Sequence, residues 1–393
     1  MVMASEYEFE MENYMSTEEF ERFKKFGMDK ETPFIMIDLD IVARKYDELH
    51  NALPHSDIYY AVKANPDIEV LRLLAEKGSF FDVASVHEIN LMLDLGVDPS
   101  RISYGNTMKK ARDIAYAYSR GVRLFVTDCE NDVRKLAQNA PHSQVFCRIL
   151  ADGIGASWPL SRKFGCYPNM AVEVLTLAHQ LGLKAYGVSF HVGSQQYHVS
   201  SWREALWDVK IVFEDLALRG IKLEMVNLGG GFPVRYDLPI PETVTYGAGI
   251  MEYLIEVFGD DIPHTIIEPG RYMAGDSGVL ATEVIQISQK ETGGGRSWLY
   301  VDVGKFGGLI ETLDESIRYP IYSERTGKMI PYTIAGPTCD SVDVMYEKAP
   351  YMLPDTIQEG DRIYFFTAGA YTSTYCSVNF NGFPPLKTYI LPK

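Results

Sequence analysis

The amino-acid sequence predicts an α/β protein in which a (β/α)8 barrel is followed by an antiparallel β domain. Two observations support this prediction. Short β-rich runs alternate with helical segments over most of the chain, and after about Gly278 the helical spacing gives way to β-branched and aromatic runs broken by Gly and Pro. Alternating strands and helices are typical of a parallel sheet, and short strands separated by turn residues are typical of an antiparallel one.

The barrel prediction depends on a set of runs with the composition of buried strands. Segments such as IEVLRLLAEKG and MAVEVLTLAHQLGL lie between them and repeat apolar residues every three or four positions, as amphipathic helices do. Eight strand and helix units predict a closed barrel of the TIM type. The eight runs begin at Ile58, Phe81, Ile102, Leu124, Val145, Ala185, Met225 and Thr265.

The sequence divides into three parts on these patterns. Residues 1–37 form an N-terminal segment, residues 38–277 the barrel, and residues 278–393 the C-terminal β domain. The run FIMIDLD, which begins at Phe34, precedes the barrel strands. We expect part of the N-terminal segment to pair with the C-terminal sheet, so that the barrel is inserted into the β domain.

Composition excludes several classes of function. The formal net charge of −16 disfavours binding to nucleic acids and anionic membranes, and it favours cationic small molecules. There is no apolar run long enough to cross a bilayer and the N-terminal segment is acidic, so we expect a cytoplasmic protein. Five cysteines without a CxxC or His-rich spacing predict reduced thiols and no metal site.

Lys63 ends the first predicted barrel strand. Functional groups of such barrels gather at the carboxyl ends of the strands. A partly dry barrel mouth would favour the neutral amine, which is the form that reacts with a carbonyl group to give an imine. A lysine that merely extends into solvent from a strand edge is the simpler interpretation of this residue alone.

A phosphate site is predicted after the last two barrel strands. Gly229–Gly231 follows the seventh strand, and Gly270 and Arg271 follow the eighth. Bare glycine amides can approach an anion and an arginine can pair with it. A tight turn would explain the glycines but not Arg271. Glu268 could hold a pyridine nitrogen protonated or form an ion pair with Arg271, and the two interpretations are compatible.

His191 ends the sixth predicted strand, in the sequence FHVGSQQ. A single histidine among apolar residues is more often part of the core than a catalytic group. Here its imidazole could stack on a cofactor ring, while Ser194 offers a hydroxyl group to a phosphate.

Nine short motifs are distributed along nearly the whole chain. They are YAVKAN from Tyr60, FDVAS from Phe81, SRKFG from Ser161, FHVGSQ from Phe190, GGGFP from Gly229, EPGR from Glu268, GPTCD from Gly336, GAYT from Gly369 and FNGF from Phe380. In these motifs the chain resembles the fold-type III pyridoxal-phosphate (PLP) decarboxylases of basic amino acids, most closely the bacterial-type ornithine decarboxylases. The motifs occur in the family's order, and together they are far more specific than any one alone.

The resemblance implies a set of cofactor-binding residues. Lys63 would bind PLP through an imine, Glu268 would pair with the pyridinium nitrogen, and His191 would stack on the ring. Asp82 and Arg148 would orient Lys63 and the hydroxyl side of the ring. The full set is Lys63, Asp82, Arg148, His191, Ser194, Gly229, Gly230, Gly231, Glu268, Gly270, Arg271 and Tyr371, of which the glycines, Ser194, Arg271 and Tyr371 lie on the phosphate side.

The resemblance also implies a homodimer in which a second subunit completes each active site. The GPTCD segment of that subunit would supply Cys339, which protonates the carbon left by CO2, and Asp340, which binds the distal ammonium group of the substrate. The catalytic residues would therefore be Lys63, His191, Glu268 and Cys339. An ion pair between Lys163 and Asp343 would cross the dimer interface, and Phe380 would contact the substrate.

One departure from the family pattern concerns the carboxylate with which the first subunit binds the distal ammonium group. Many eukaryotic members have an aspartate there, whereas the stretch GGLIETLDESIRYP aligns Glu315 at that position, with Asp314 beside it. A longer or shifted carboxylate would alter the preferred length of the substrate.

The predicted function is decarboxylation of L-ornithine to putrescine and CO2 in polyamine biosynthesis. Decarboxylation of lysine, of both lysine and ornithine, or of arginine remains an alternative. Diaminopimelate is disfavoured because its decarboxylases usually have a glutamate after the cysteine, where this chain has Asp340. A non-catalytic PLP-binding or regulatory homologue would lack part of the catalytic set, which is complete here.

Overall fold

The structure is a computed structural model that describes residues 9–158, 163–292 and 296–392. The first two residues of the SRKFG motif lie outside the described ranges. The helices are α1 Thr17–Gly27, α2 Leu39–Ala52, α3 Ile68–Glu76, α4 Val86–Asp94, α5 Ala111–Ser119, α6 Glu130–Asn139, α7 Pro168–Gln180, α8 Ser200–Leu218, α9 Thr243–Phe258 and α10 Arg271–Ala274.

The strands are numbered in chain order. They are β1 Phe34–Ile37, β2 Ser56–Ala61, β3 Phe80–Val83, β4 Ile102–Tyr104, β5 Leu124–Thr127, β6 Gln144–Arg148, β7 Ala156–Trp158, β8 Lys184–Ser189, β9 Ser194–Gln196, β10 Met225–Asn227, β11 His264–Ile267, β12 Gly278–Gln289, β13 Ser297–Val301, β14 Ile321–Ser323, β15 Met329–Ala335, β16 Val344–Pro354, β17 Arg362–Phe365 and β18 Lys387–Ile390.

The chain divides into two compact units. The barrel unit contains Ala43–Pro233 and Pro241–Met273. The β unit contains the chain up to Val42, Val234–Ile240 and the chain from Ala274 onward. The boundaries predicted from the sequence lay at residues 38 and 277, and no sequence pattern indicated that 234–240 belongs with the β unit.

The barrel unit is a closed parallel barrel in the order β10, β11, β2, β3, β4, β5, β6, β8. These strands coincide with the eight runs predicted from the sequence, so the barrel prediction is confirmed. Their apolar side chains form a cluster that includes Tyr59, Phe146 and Met225. Several following helices begin with a side-chain cap, such as Ser85, whose hydroxyl group accepts the backbone N–H of Glu88 at the start of α4.

The β unit is built around a mixed sheet in the order β14, β17, β12, β13, β15, β16; β1 also pairs with β12, and β18 pairs with β1. Most pairings are antiparallel, but β1 with β18 and β13 with β15 are parallel. The FIMI residues of β1 lie between β12 and β18. A buried cluster that includes Phe20, Phe23 and Phe34 packs on this sheet.

Helix α1 shows why the N-terminal part is ordered in the β unit. The hydroxyl group of Ser16 accepts the backbone N–H of Glu19, and the Glu19 carboxylate accepts the backbone N–H of Ser16. This reciprocal capping box starts the helix. Its apolar face then buries Phe20 and Phe23. Across the described ranges, no helix is both long and apolar enough to span a membrane.

Candidate active site

Lys63 and Asp82 meet at the carboxyl ends of two neighbouring barrel strands. Lys63 lies in the 3-10 turn Val62–Ala64 that follows β2, and Asp82 lies in β3. The Lys63 Nζ atom is 3.6 Å from Asp82 Oδ2, and the lysine side chain is half exposed, whereas the Asp82 side chain is buried. Burial raises the pKa of Asp82 well above its ordinary value, and the nearby Glu268 carboxylate adds to the rise.

The second oxygen of Asp82 occupies space left by a glycine. Asp82 Oδ1 is buried and has no hydrogen-bond partner among the described residues. A Cβ atom at Gly105 would lie 1.7 Å from this oxygen, far inside contact distance. Gly105 therefore allows the Asp82 carboxylate to lie where it does, because any side chain there would displace it.

Glu268 is anchored by an asparagine from the neighbouring strand. Asn227, the last residue of β10, donates from Nδ2 to Glu268 Oε1 at 2.5 Å and accepts the backbone N–H of Gly229 at 2.9 Å. The backbone N–H of Glu268 donates to the carbonyl oxygen of Gly229 at 2.8 Å. These bonds fix the Glu268 carboxylate and the start of the glycine turn to each other.

His191 is held in its neutral form. The backbone N–H of Gly193 donates to His191 Nδ1 at 3.0 Å, so this nitrogen is an acceptor and the ring proton of the neutral form lies on Nε2. Burial lowers the pKa of His191 well below its ordinary value, and the positive charges of Arg148 and Lys63 lower it further. A neutral, fixed imidazole is suited to stacking on an aromatic ring.

Ser194 and Arg271 form the predicted anion-binding corner. Both Nε and Nη2 of Arg271 donate to the Ser194 hydroxyl oxygen, at 3.2 Å and 3.1 Å. Arg271 is 4% exposed. Gly229 and Gly231 have φ angles of 69° and 102°, which favour glycine. Gly230 packs against the end of β11, since a Cβ atom there would lie 2.7 Å from the Glu268 carbonyl oxygen.

Arg148 ends β6 at the same side of the barrel. Within the described ranges its guanidinium group makes no hydrogen bond or ion pair, and its Cζ atom lies 5.4 Å from the centre of the Phe164 ring. Burial lowers the pKa of Arg148, against the opposing charges of Glu268, Asp82 and Asp128. This half-buried cation is thus available to an anionic or strongly polar group. Gly270, the remaining barrel-unit residue of the predicted set, directly precedes Arg271 and is buried.

Cys339 and Asp340 lie on an exposed turn of the β unit. The backbone N–H of Cys339 donates to Asn381 Oδ1 at 2.9 Å. Asp340 Oδ1 accepts the backbone N–H of Val342 at 2.9 Å. The turn is therefore fixed to the FNGF motif, while Cys339 and Asp340 are both exposed.

Asp343 is a buried organiser of this turn. Its side chain accepts hydrogen bonds from the Thr338 hydroxyl group at 2.7 Å and from the backbone N–H of Lys305 at 2.8 Å. The carboxylate fills the space beside Gly304 and Gly336, where a Cβ atom would lie 2.1 Å and 2.4 Å from its oxygens. Asp343 is 2% exposed, so the ion pair expected between Lys163 and Asp343 of another subunit stays a prediction.

Glu315 and Asp314 differ sharply in their surroundings. Glu315 Oε1 accepts the backbone N–H groups of Glu347 and Lys348, at 2.8 Å and 2.6 Å, and Oε2 accepts that of Ala349 at 3.0 Å. Asp314 is 82% exposed, with one oxygen 3.7 Å from Lys348 Nζ. Both residues have positive φ angles, 55° and 60°. The carboxylate of Glu315 is thus hydrogen-bonded to the backbone of β16, whereas the carboxylate of Asp314 is accessible.

Two further predicted residues lie in the β unit. The Phe380 ring packs 4.5 Å from the Phe306 ring, and both line a cavity of about 270 Å³. Tyr371 has a φ angle of 56°, and its ring centre is 5.9 Å from that of Tyr375.

Sequence reasoning missed two residues that position the site. Asn227 ends a buried strand directly before the glycine run, and a polar residue at that point is a signal that could have been used. Gly105 follows β4 in the motif ISYGN, and nothing in the sequence distinguishes it from a turn glycine. Its role is visible only through its contact with Asp82.

The barrel residues fit a phosphorylated pyridine aldehyde. Lys63 offers a half-exposed amine, Glu268 offers a fixed carboxylate to a ring nitrogen, and Arg271 with Ser194 offers a phosphate corner. Within the described ranges, the guanidinium group of Arg148 and Asp82 Oδ1 lack hydrogen-bond partners, so a bound ligand can satisfy them. The described residues contain no cluster of three or more His, Cys, Asp or Glu side chains that could hold a metal ion.

Comparison with known proteins shows the family of this chain. Residues 39–275 match the family described as pyridoxal-dependent decarboxylase, pyridoxal binding domain. The lysine/ornithine decarboxylase of Selenomonas ruminantium is 35% identical over 90% of this chain and 88% of its own length. The ornithine decarboxylase of Schizosaccharomyces pombe is 34% identical over 93% of this chain and 85% of its own length.

A solved structure is similar in fold as well. The lysine/ornithine decarboxylase of Vibrio vulnificus complexed with cadaverine superposes with a TM-score of 0.86 at 30% identity, over 96% of this chain and 100% of that one. The chain belongs to the pyridoxal-dependent decarboxylases of fold type III. Its cofactor is pyridoxal phosphate, and its reaction is the decarboxylation of a basic amino acid.

Proposed function

We propose that the chain decarboxylates L-ornithine to putrescine and CO2, as a cytoplasmic homodimer in polyamine biosynthesis. The observation that supports a cationic substrate is the accessible carboxylate of Asp314, on a turn fixed by the three hydrogen bonds of Glu315. An exposed carboxylate on a rigid turn is suited to pairing with an ammonium group. The resemblance to ornithine decarboxylases supports ornithine as the substrate, and Asp314 is a better candidate than Glu315 for the first subunit's contact.

Residues of the barrel would prepare the cofactor. Pyridoxal phosphate, when bound, supplies an electron sink for the pair left behind as CO2 departs. Glu268, held by Asn227, would keep the ring nitrogen protonated, and His191 would stack on the ring. Ser194, the glycine turn, Gly270 and Arg271 would hold the phosphate, with Tyr371 as the proposed contribution of the β unit.

Lys63 and Asp82 would handle protons beside the reacting carbon. Asp82 lies 3.6 Å from the Lys63 Nζ atom, so it can orient the amine and exchange a proton with it. Arg148 would contact the hydroxyl side of the ring, because its guanidinium group has no partner within the described part of the chain.

A second copy of the chain would complete the site. Cys339 would return a proton to the α-carbon, Asp340 would bind the distal ammonium group, and Phe380 would contact the aliphatic stem of the substrate. The Lys163 to Asp343 ion pair belongs to this proposal through the family resemblance. The hydrogen bonds of Asp343 to its own chain support a second role, which is to shape the turn that carries Cys339.

Lysine, alone or together with ornithine, is the second candidate substrate. The similarity to the lysine/ornithine decarboxylases of Selenomonas ruminantium and Vibrio vulnificus supports it. Arginine and then diaminopimelate follow as alternatives, and only diaminopimelate is disfavoured by Asp340, which departs from the glutamate typical of diaminopimelate decarboxylases.

The test is a competition among substrates. The purified chain, saturated with PLP, is offered equimolar L-ornithine, L-lysine, L-arginine and meso-diaminopimelate, and the products are identified by mass spectrometry, with Lys63→Ala as the control. We expect mainly putrescine, absent in the control. Cadaverine or agmatine as the main product would contradict ornithine as the substrate. The absence of any amine product would contradict the proposed catalytic activity.

A matched pair of variants tests the assignment of Asp314. Asp314→Asn is expected to raise the KM for ornithine about tenfold, which corresponds to about 1.4 kcal/mol of lost charge pairing, with little change in stability. Glu315→Gln is expected to lower the free energy of unfolding by about 2 kcal/mol, because it weakens charged hydrogen bonds to three backbone N–H groups. The opposite pattern would assign the substrate contact to Glu315.

A further inference from the structure

Two cysteines lie side by side at the end of β6, and the proposed reaction uses neither. The Sγ atoms of Cys147 and Cys166 are 3.6 Å apart. Cys147 is buried in β6, and Cys166 is half buried in the segment that bridges to Ile149. The two sulfur atoms are thus in van der Waals contact, without a residue between them.

The backbone keeps the two thiols together. The backbone N–H of Cys166 donates to the carbonyl oxygen of Arg148 at 3.1 Å, and the backbone N–H of Leu150 donates to the carbonyl oxygen of Cys166 at 2.9 Å. Both thiols also lie near the Arg148 carbonyl oxygen, at 3.9 Å from Cys147 Sγ and 3.7 Å from Cys166 Sγ. The pair is therefore a fixed feature of the local sheet and does not depend on a mobile side chain.

We propose that Cys147 and Cys166 form an intrachain disulfide when the protein meets a peroxide. The half-buried Cys166 reacts first, since it is the thiol that the oxidant can reach. Its sulfur displaces hydroxide from hydrogen peroxide and becomes a sulfenic acid, and the Cys147 sulfur then displaces water from it. Overall, two thiols and one hydrogen peroxide give one disulfide and two waters, so the thiols lose two electrons and the peroxide gains them.

The rate should depend on pH in a defined direction. The hydrogen bond with Cys166 and burial together raise the pKa of Cys147 well above its ordinary value. Because the thiolate is the reactive form, the second step is slow at neutral pH and faster in alkaline solution. The disulfide is therefore expected under sustained oxidation and not after brief exposure.

Oxidation of the two thiols is expected to weaken PLP binding through Arg148, an expectation that rests on the proposed function. Arg148 directly follows Cys147, and its carbonyl oxygen faces both thiols. The disulfide removes both S–H groups and shifts the backbone that carries the guanidinium group. We expect the oxidised protein to bind PLP several-fold more weakly, with the loss reversed by dithiothreitol.

The experiment maps the bond in the holoenzyme. The protein is incubated with hydrogen peroxide at pH 7 and pH 9, remaining thiols are alkylated, and the non-reduced digest is analysed by mass spectrometry. We expect one linked pair of peptides containing Cys147 and Cys166, formed faster at pH 9. Cys166→Ser should abolish the linked pair. Cys376→Ser, which changes another half-buried thiol that faces backbone carbonyl groups, should leave it unchanged.

The disulfide and the role of Arg148 are tested by different outcomes. Two alkylated thiols at these positions after oxidation, or bridges only to other cysteines, would overturn the disulfide proposal whatever the activity. A confirmed bridge with unchanged PLP affinity, measured by titration of the cofactor absorbance, would overturn only the role assigned to Arg148. Cys166→Ala provides a second variant if Cys166→Ser does not fold.

Discussion

Asp82 is expected to make the cofactor-free protein less stable as pH rises, and Asp82→Asn is expected to remove that effect. The carboxylate is 2% exposed, one of its oxygens lacks a partner among the described residues, and its pKa is raised by burial and by Glu268. Lys63 is 3.6 Å away, but it is half exposed and so compensates the charge only in part.

The sign and the size of the effect follow from proton linkage. Because the pKa in the folded state lies above the unfolded value of about 3.9, the native state binds more protons than the unfolded state between these two values. The stability that Asp82 contributes is therefore fully present below pH of about 3.9 and is lost as pH rises through the folded pKa. One proton gives a slope of at most about 1.4 kcal/mol per pH unit.

The assay is urea denaturation of the cofactor-free protein at a series of pH values, for the wild type and for Asp82→Asn. The variant should lose less stability per pH unit than the wild type in the window above pH of about 3.9. Asp260→Asn, which changes an exposed carboxylate, serves as the control and should follow the wild type. Equal slopes for the wild type and Asp82→Asn would refute the assignment of a raised pKa to Asp82.

Two other perturbations test the electrostatics of the barrel unit. The pKa of His191 is lowered in the folded state, so its contribution to stability is full above pH of about 6.5 and is lost as pH falls. In the same denaturation assay, the free energy of unfolding of His191→Gln should therefore fall less than that of the wild type as the solution is acidified. Lys109 is buried and donates to Asp132 Oδ2 at 2.8 Å, so Lys109→Met should cost about 3–5 kcal/mol by thermal or urea unfolding. Lys135→Met removes only the partly exposed partner of Asp132 and should cost less than about 1 kcal/mol; equal losses for the two lysine variants would contradict the argument.

The barrel could be predicted from the sequence because its strands are short and buried and alternate with amphipathic helices. Each run, such as the one at Ile58, is continuous and apolar, as expected for a parallel strand covered on both faces. The order of the β unit could not be predicted in the same way. Pairing of the N-terminal segment with the C-terminal sheet was expected. The particular parallel partners, β1 with β18 and β13 with β15, join segments distant in sequence, and local patterns do not specify them.

In the candidate site, residues within recognisable motifs could be predicted from the sequence, whereas residues that act through contacts between strands could not. The family resemblance implied that Asp82 orients Lys63 and that Ser194 and Arg271 lie on the phosphate side, and each pair is in contact at the strand ends of the barrel. The roles of Asn227 and Gly105 depend on contacts across neighbouring strands. Motif spacing does not show that the Asp82 carboxylate occupies the space beside Gly105.

The residues proposed to bind the cofactor and the carboxylates proposed to bind the substrate are supported by different kinds of backbone. Lys63, Arg148, His191 and Glu268 lie at the ends of barrel strands, which hold their positions through parallel pairing on both sides. Asp314 and Glu315 are two successive left-handed residues on one turn. The backbone of β16 donates hydrogen bonds to the carboxylate of Glu315, and the carboxylate of Asp314 is left exposed. If Asp314 binds the substrate as proposed, a change of one residue in this turn is expected to alter substrate preference before it alters cofactor binding.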